Sequence, residues 1–272
     1  MHAASRDALA QVTSHLDSAL NSTEESVATA AHLGTELFDV VEVLDGDRGL
    51  RVAVANASAT AEQRTRLVSE VFGGKVSQAT LEILKDAVEQ TWSTPRELRQ
   101  GLVEIGRRSL FRAAEQQGML EKVEDELFCL SRILDREGRL TQLLSDHTAQ
   151  PAKKRELLAN VLYGKVTSLT EALALQVIGR PERNPIDDMA GLADAAAALR
   201  NRTVAHVVAA GELNETQESV LAKKLQRIYG KEMSIHSEVD TDLLGGMVIR
   251  VGDEVIDGST SGKLQRLRAH LV

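Results

Sequence analysis

Apolar residues recur every three or four positions through the first 200 residues, which is the spacing of one face of an α-helix. Three segments display the pattern clearly, and their apolar positions are Leu9, Val12, Leu16, Ala19 and Leu20; Leu33, Leu37, Val40, Val41 and Leu44; and Leu120, Val123, Leu127, Leu130 and Leu134. The second stripe ends at the turn-forming sequence DGDRG, and the third ends near Gly138. The pattern predicts a succession of amphipathic helices.

The helical region contains an internal repeat. The tripeptide ELF stands at residues 36–38 and again ninety positions later, at residues 126–128. With this offset held fixed, RLVSEVFGGKVSQAT (66–80) aligns with ELLANVLYGKVTSLT (156–170), and no gap is needed over about fifty residues. The repeat predicts a duplicated helical unit, with copies in residues 1–107 and 108–202. Two copies are too few for a solenoid, so we expect two adjacent helical bundles.

The pattern changes near Arg200. The segment TVAHVVAAGEL (203–213) is rich in β-branched and apolar residues and predicts a strand. The following segment, 214–230, predicts a helix that Asn214 caps at its start and Gly230 closes at its end. After this helix, EMSIHSEVD alternates with period two, and the positions on its apolar face are Met233, Ile235, Ser237 and Val239.

The last part of the chain contains the glycine-rich stretch GGMVIRVGDEVIDGS (245–259). No three of its glycines have the G-x-G-x-x-G spacing of a dinucleotide-binding loop; they are Gly245, Gly246, Gly252 and Gly258. The stretch instead predicts a β-hairpin, with a bend at its first two glycines. We expect Asp257 and Ser259 to satisfy free backbone N–H groups where the last helix begins.

A helical stripe of leucines follows the hairpin: Leu264, Leu267 and Leu271. These leucines belong either to the core or to a groove for a partner helix, and both alternatives stay open. Residues 203–272 are thus predicted to form a small β-α-β-β-α unit. The whole chain is predicted to be mostly α, with a duplicated N-terminal helical bundle followed by a small C-terminal α/β domain.

Two further turns, FGGKVS and YGKVTS, resemble part of a phosphate-binding P-loop. In both turns a valine, Val76 or Val166, follows the lysine where a P-loop has the Ser or Thr hydroxyl that binds Mg²⁺. We expect turns between helices, with a C-capping glycine and with Lys75 and Lys165 close to helix C-termini. A regulatory nucleotide-binding enzyme that uses these lysines remains the alternative function.

Composition limits the function classes. Hydrophobic residues make up 43% of the chain and aromatic residues only 3%, which favours helix bundles. The net charge of −8 argues against a nucleic-acid-binding protein, which normally has a basic surface. No run of about 18 apolar residues is present, so we expect no membrane-spanning helix. None of the seven histidines has zinc-ligand spacing, and we expect no catalytic residue, no cofactor and no metal ion.

Three single residues have distinctive chemistry. Cys129, the one cysteine, lies in an apolar helical pattern and is expected in the core. Trp92 is expected to pack at a helix end. Arg250 is the one charge that interrupts an apolar strand, and it either pairs with a carboxylate such as Asp257 or points outward.

The segment DTDLLGGMVIRVGDEVIDGSTSGKLQRLRAHL (240–271) closely resembles the C-terminal signature of the delta subunit of F-type ATP synthases. The mitochondrial relative in that family is the oligomycin-sensitivity-conferring protein. The residues that match are Gly245, Gly246, Arg250, Gly252, Asp257, Ser259, Leu264 and Leu267. The resemblance covers residues 108–272, whereas residues 1–107 look like an extra copy, similar to the extended actinobacterial form of the subunit.

The resemblance implies a non-catalytic stator role in the peripheral stalk. In this family the helical domain binds N-terminal segments of the alpha subunits at the top of the catalytic head, and the C-terminal domain binds the b subunit of the stalk. The protein is then expected on the cytoplasmic side of a bacterial cell membrane, as a peripheral protein that keeps rotation coupled to ATP synthesis. Which helical copy contacts the alpha subunits stays open, and a generic helical adaptor is a third alternative.

Overall fold

A computed structural model describes residues 1–21, 26–200, 202–252 and 254–264. The helices there are α1 (Ala3–Asn21), α2 (Ser26–Gly46), α3 (Arg48–Val54), α4 (Ala61–Phe72), α5 (Gln78–Glu89), α6 (Pro95–Gln116), α7 (Leu120–Arg136), α8 (Gly138–Ser145), α9 (Pro151–Leu162), α10 (Ser168–Gly179), α11 (Pro185–Leu199) and α12 (Glu215–Tyr229). The strands are β1 (Arg202–Ala209), β2 (Glu232–Val239), β3 (Met247–Val251) and β4 (Glu254–Asp257), and residues 260–264 are helical. The predicted fold class, helices followed by a small α/β part, is confirmed.

The chain forms two compact units, and each unit is built from two stretches of sequence. The first unit comprises Met1–Leu120 and Ala149–Arg180, and the second comprises Glu121–Thr148 and Pro181–Val272. Within these units the three predicted apolar stripes face the core, except for Leu9, which is half-buried, and Ala19, which is exposed. The division of the sequence into 1–107, 108–202 and 203–272 stays a prediction.

The limits of the helices follow the ninety-residue offset seen in the sequence. Helices α4 and α9 begin and end ninety positions apart, as do α5 and α10. The cause is visible at the caps, because Ser77 and Thr167 cap α5 and α10 with the same side-chain hydrogen bond to the N–H three residues later. Under the ninety-residue offset, α6 aligns in sequence with α1, because Ala8 and Val12 correspond to Leu98 and Leu102, and all four residues are buried. Helix α6 also begins ninety positions before α11, so it aligns with that helix too.

Helices α2 and α6 pack closely in the first unit. Gly34 and Gly106 allow this approach, because a Cβ atom on Gly34 would lie 2.8 Å from the carbonyl oxygen of Gly106. Trp92 is buried beside the same helix, where a Cβ atom on Gly101 would overlap its ring, and its indole N–H donates to the Ala87 carbonyl oxygen at 2.7 Å. The predicted packing role of Trp92 at a helix end is therefore confirmed.

The two GKV sequences form turns between helices. Gly74 and Gly164 have φ angles of 72° and 68°, and each lies two residues after the end of its helix, α4 or α9. Lys75 and Lys165 are exposed on these turns. A P-loop connects a strand to a helix, whereas a helix precedes each of these turns. The geometry thus agrees with the predicted helical turns.

The strands form one mixed sheet in the second unit, with the order β2-β1-β3-β4. β1 and β2 are parallel and α12 connects them, whereas β3 pairs antiparallel with both β1 and β4. One sheet face packs on α12 through an apolar cluster of Ala205, Val207, Leu225, Met233, Ile249 and Val251. The predicted β-α-β-β order is present, and a helix begins after it. Leu267 and Leu271 lie outside the described residues.

Two sequence expectations differ from the structure. Met233 and Ile235 face the apolar cluster as predicted, but Ser237 and the end of β2 are exposed, while His236 on the opposite face is buried. The reason is that side chains of α7 lie over that opposite face. Cys129 was expected in the core but is exposed, because the buried stripe of α7 runs along its other side.

Candidate docking surfaces

Two glycines of the signature bring the last helix close to the sheet. Gly245 and Gly246 have φ angles of 147° and 83°, which side-chain-bearing residues rarely adopt. A Cβ atom on Gly246 would lie 2.5 Å from the carbonyl oxygen of Gly258, so this crossing of two backbone segments requires a glycine. The Thr260 N–H donates to the Gly245 carbonyl oxygen at 2.8 Å. The signature therefore joins the start of the last helix to the segment before β3.

Asp257 and Ser259 organise the entry into this helix. The Ser259 N–H donates to Asp257 Oδ1 at 2.8 Å, and the Gly262 N–H donates to Ser259 Oγ at 3.0 Å. Ser259 is buried, and a Cβ atom on Gly262 would overlap the Asp257 carboxylate. These hydrogen bonds satisfy N–H groups that have no partner within a helix.

The remaining signature residues lie at or near the surface. Gly252 occupies the hairpin turn with a φ angle of 57°, and Leu264 is half exposed. Arg250 is exposed, and no ion pair involves it within the described part of the chain. Its neighbour across β4 is Val255, whereas Asp257 lies opposite Val248. The outward orientation of Arg250 is thus the alternative that the geometry favours.

Large apolar side chains are exposed along the signature. Their exposed fractions range from 36% for Ile256 to 80% for Leu244, and the set is Leu244, Val255, Ile256 and Leu264. The hydrogen bond between Thr260 and Gly245 holds two of their backbone segments next to each other. Val255 and Ile256 are adjacent in β4 and point to opposite faces of the sheet, so the four side chains are not one patch. Exposed apolar surface marks interaction sites, and the segments of Leu244 and Leu264 are one candidate docking surface.

A buried polar cluster joins β2 to α7 within the second unit. His236 Nε2 is hydrogen-bonded to Glu124 Oε1 at 2.9 Å, and Arg200 Nη1 lies 3.2 Å from Glu124 Oε2. The Phe128 ring stacks on His236 with 4.3 Å between ring centroids. Burial raises the pKa of Glu124, but hydrogen bonds from His236 and Ser234 and the charges of His236 and Arg200 outweigh it, so the pKa is lowered overall.

Sequence reasoning missed this cluster, although one signal was present. Glu124 directly follows Val123 and stands three positions before Leu127, which places a carboxylate inside the buried stripe of α7. A buried carboxylate requires a partner. The adjacent His206 remains neutral at physiological pH, because burial, followed by the charges of His236 and other cations, lowers its pKa to about 4.

A second candidate surface lies in the first unit. It is a cleft of about 560 Å³ between α2, α6, α9 and α10. Its apolar lining residues are Phe38, Val41, Val103, Pro151, Ala172 and Leu175. Carboxylates of α2 stand on one side of it, and Arg155 of α9 forms a two-pronged ion pair with Glu42 at 2.8 and 3.1 Å. The cleft is suited to an amphipathic segment with apolar anchors.

Two other kinds of feature, a metal-binding cluster and a membrane-spanning helix, are absent from the described residues. Their His, Cys, Asp and Glu side chains form no group of three that is arranged to hold a metal ion. None of the helices described is both long enough and apolar enough to cross a membrane.

Comparison with known proteins identifies relatives over the whole chain. The family model of the ATP synthase delta (OSCP) subunit matches residues 108–271. A protein named ATP synthase subunit delta from Corynebacterium efficiens is 74% identical over 269 residues, covering 99% of this chain and 98% of the relative. A protein of the same name from Corynebacterium diphtheriae is 68% identical over 272 residues, covering 100% of both chains.

A search of solved structures finds similar chains, and one of them is from a cryo-EM structure of the Toxoplasma gondii mitochondrial ATP synthase hexamer. It has 23% sequence identity and a TM-score of 0.37, and the match covers 61% of this chain and 94% of that chain.

Proposed function

The chain belongs to the ATP synthase delta (OSCP) subunit family, a component of the peripheral stalk, and on that premise we propose that it links the catalytic head to the b subunit. In this role the helical region binds N-terminal segments of the alpha subunits, and the C-terminal α/β region binds the end of the b subunit. The protein performs no catalysis. It acts as a peripheral protein on the cytoplasmic side of a bacterial cell membrane, where it prevents the head from turning with the rotor.

The observation that carries the proposal is the exposure of two leucines, Leu244 in the segment before β3 and Leu264 in the last helix. Leu244 is 80% exposed and Leu264 is 47% exposed, and the backbone hydrogen bond from Thr260 to Gly245 ties their segments together. Burial of a leucine side chain stabilises a complex by about 1.5–3 kcal/mol. A helix of the b subunit with an apolar stripe covers such a surface by helix-in-groove packing.

The test measures binding of the purified chain to a soluble segment of the b subunit. We expect Leu244→Glu and Leu264→Glu each to weaken binding at least about tenfold, because each places a charge against an apolar helix face. Val52→Glu is the matched control, since Val52 is 49% exposed on α3 of the other unit. Undiminished binding of both leucine variants, or equal loss with the control, contradicts the proposed b-subunit surface.

A further inference from the structure

Helix α12 has two faces with different chemistry. Its inner face packs on the sheet through a set of apolar side chains: Leu221, Ala222, Leu225 and Tyr229. Its outer face has three cations and two apolar side chains, all of them exposed: Val220, Lys223, Lys224, Arg227 and Ile228. The inner face is accounted for by packing within the second unit, whereas the outer face has no such explanation.

The cations of the outer face repel one another. Lys223 and Lys224 stand four and three positions before Arg227, so both are its neighbours on the helix surface. Like charges at these spacings destabilise a helix. Within the described part of the chain, no ion pair or side-chain hydrogen bond involves any of the three. Residues 219–231 contain no Asp or Glu to offset them.

Other helices of this protein arrange exposed cations differently. Arg66 contacts Glu70 on α4 at 2.9 Å, and Lys122 contacts Glu126 on α7 at 4.0 Å. In both pairs a carboxylate four positions later offsets the cation. The outer face of α12 differs from these helices, because Arg227 occupies the position four residues after Lys223.

The helix dipole accounts for only part of this pattern. It stabilises cations in the last turn, where Arg227 lies. Lys223 and Lys224 stand in the middle of the helix, where the dipole has little effect. The whole chain has a net charge of −8. A cluster of unpaired cations on such a chain indicates a surface that attracts an anionic partner.

The exposed side chains are arranged to receive another helix. Val220, Lys224 and Ile228 form one row with a spacing of four, and Lys223 and Arg227 form the neighbouring row. Rows of this spacing, with the groove between them, are the elements of helix–helix packing. Val220 is 48% exposed and Ile228 is 65% exposed. These two positions are about 12 Å apart along the helix, which suits two apolar anchors of a partner helix.

Two other anionic partners fit this face less well. An amphipathic helix that binds a membrane inserts its main apolar face into the lipid, whereas that face of α12 is buried on the sheet, with Leu225 only 2% exposed. Single-stranded nucleic acids are held by stacking on aromatic side chains, and the outer face has none. An acidic helix of a protein matches both the cations and the apolar side chains.

We propose that the outer face of α12 binds an acidic helical segment of another subunit of the ATP synthase. The segment places two apolar side chains against Val220 and Ile228, and its carboxylates pair with the three cations. The inference goes beyond the proposed function, because it uses residues other than those of the proposed b-subunit surface. The stator assignment and this contact are therefore tested separately.

The first experiment compares stability with binding in the Lys223→Glu variant. The new carboxylate stands four positions before Arg227, which is a favourable ion-pair arrangement, so we expect a melting temperature at or above that of the wild type. Binding of the purified full-length chain to ATP synthase isolated without this subunit should weaken at least about tenfold at low salt. Opposite changes in the two measurements cannot result from unfolding.

Two matched controls separate a local contact from net charge. Lys223→Arg preserves the charge and should bind as the wild type does. Lys122→Glu changes the charge of an exposed lysine on α7 that already contacts Glu126, and it should also bind as the wild type does. Equal affinity of the wild type and Lys223→Glu overturns the proposal. An equal loss of affinity in Lys122→Glu also overturns it, because net charge alone would then explain the effect.

A second experiment identifies the occupant in the assembled complex. A carbodiimide joins a lysine amine to a carboxylate only where the two are in direct contact. Mass spectrometry is expected to find Lys223 or Lys224 joined to an Asp or Glu of a helical segment of another subunit, and absence of this cross-link overturns the proposal. If phosphatidylglycerol vesicles bind the wild type but not Lys223→Glu, and no cross-link forms, the face binds a lipid surface instead.

Discussion

His236 Nε2 lies 2.9 Å from Glu124 Oε1, although the two residues are 112 positions apart in the sequence. The pair attaches β2 of the sheet to α7, and the Arg200 guanidinium at the end of α11 forms an ion pair with the same carboxylate. Both members of the pair are almost completely buried. The attachment of the sheet to these helices therefore depends on a charged contact that water does not reach.

The Glu124→Ala variant should lose about 3–5 kcal/mol of the free energy of unfolding, because it breaks a buried pair and leaves Nε2 of the buried His236 without its hydrogen-bond partner. Urea denaturation followed by circular dichroism measures this loss. Glu121→Ala is the control, since Glu121 is 64% exposed and its contacts with Arg200 and Arg202 are expected to contribute less than about 1 kcal/mol. Equal losses in the two variants would show that burial of the pair is unimportant.

Asp17 should make the stability depend on pH in the acid range. Burial raises its pKa, but hydrogen bonds and charges from Arg108 and Arg112 outweigh this effect and lower the pKa to about 2. Since the folded pKa is below the unfolded value of 3.8, the stabilisation is present above pH 4 and is lost as pH falls towards 2. We expect about 1 kcal/mol after allowance for solvent screening.

The measurement is a series of thermal melts between pH 2 and pH 5, for the wild type and for Asp17→Asn. The difference in stability between the two proteins should shrink as the pH falls. Asp7→Asn, at an exposed position of the same helix, is the control and should follow the wild type. A difference that stays constant with pH would contradict the role of the two arginines.

Gly246→Ala should destabilise the second unit by more than about 2 kcal/mol, because the added Cβ meets the Gly258 carbonyl oxygen in a backbone conformation that already disfavours alanine. Gly211→Ala provides the comparison, since no atom lies within 4 Å of a Cβ at that position. Thermal unfolding of both variants measures the difference. A Gly246→Ala protein as stable as Gly211→Ala would mean that the two segments do not cross closely.

His206 should titrate near pH 4 in the folded protein. Burial is the largest cause, and the charges of His236, Arg132 and Arg250 act in the same direction. Because the folded pKa lies below the ordinary value of 6.5, the contribution of His206 to stability is complete above pH 6.5 and declines as pH falls towards 4. NMR titration of the ring protons measures the pKa directly.

Arg250→Gln should raise the pKa of His206, because it removes one of the positive charges that disfavour the imidazolium form. Arg227→Gln, on the exposed side of α12, should leave the pKa unchanged. If neither variant changes the pKa, Arg250 does not act on this face of the sheet.

Local features of the chain were predictable from the sequence. The leucine stripe of α7 is set by helical periodicity alone, and the caps at Ser77 and Thr167 follow from hydrogen bonds within three residues. Gly74 and Gly164 likewise identify their turns, because a positive φ angle favours glycine. Each of these features depends on interactions between residues that are close in sequence.

Features that depend on distant residues were not predictable. The polar face of β2 was not recognised as buried, because the cover over His236 comes from Glu124 and Phe128, more than a hundred positions earlier. Cys129 was misplaced for a different reason: cysteine is usually buried, but position 129 lies on the side of α7 away from the leucine stripe. The acidic cleft wall at Asp39 was also missed, since α9 and α10 complete that cleft from a separate stretch of sequence.

Under the ninety-residue offset, α6 aligns in sequence with α1, the first helix of the first copy, and with α11, the last helix of the second copy. The junction predicted between residues 107 and 108 falls inside α6. Its 22 residues extend for about 33 Å without a break. A force applied at one end of this helix is transmitted to the other end, because no loop between the two ends can bend. The duplication has thus lengthened the protein without introducing a joint at the point where the copies meet.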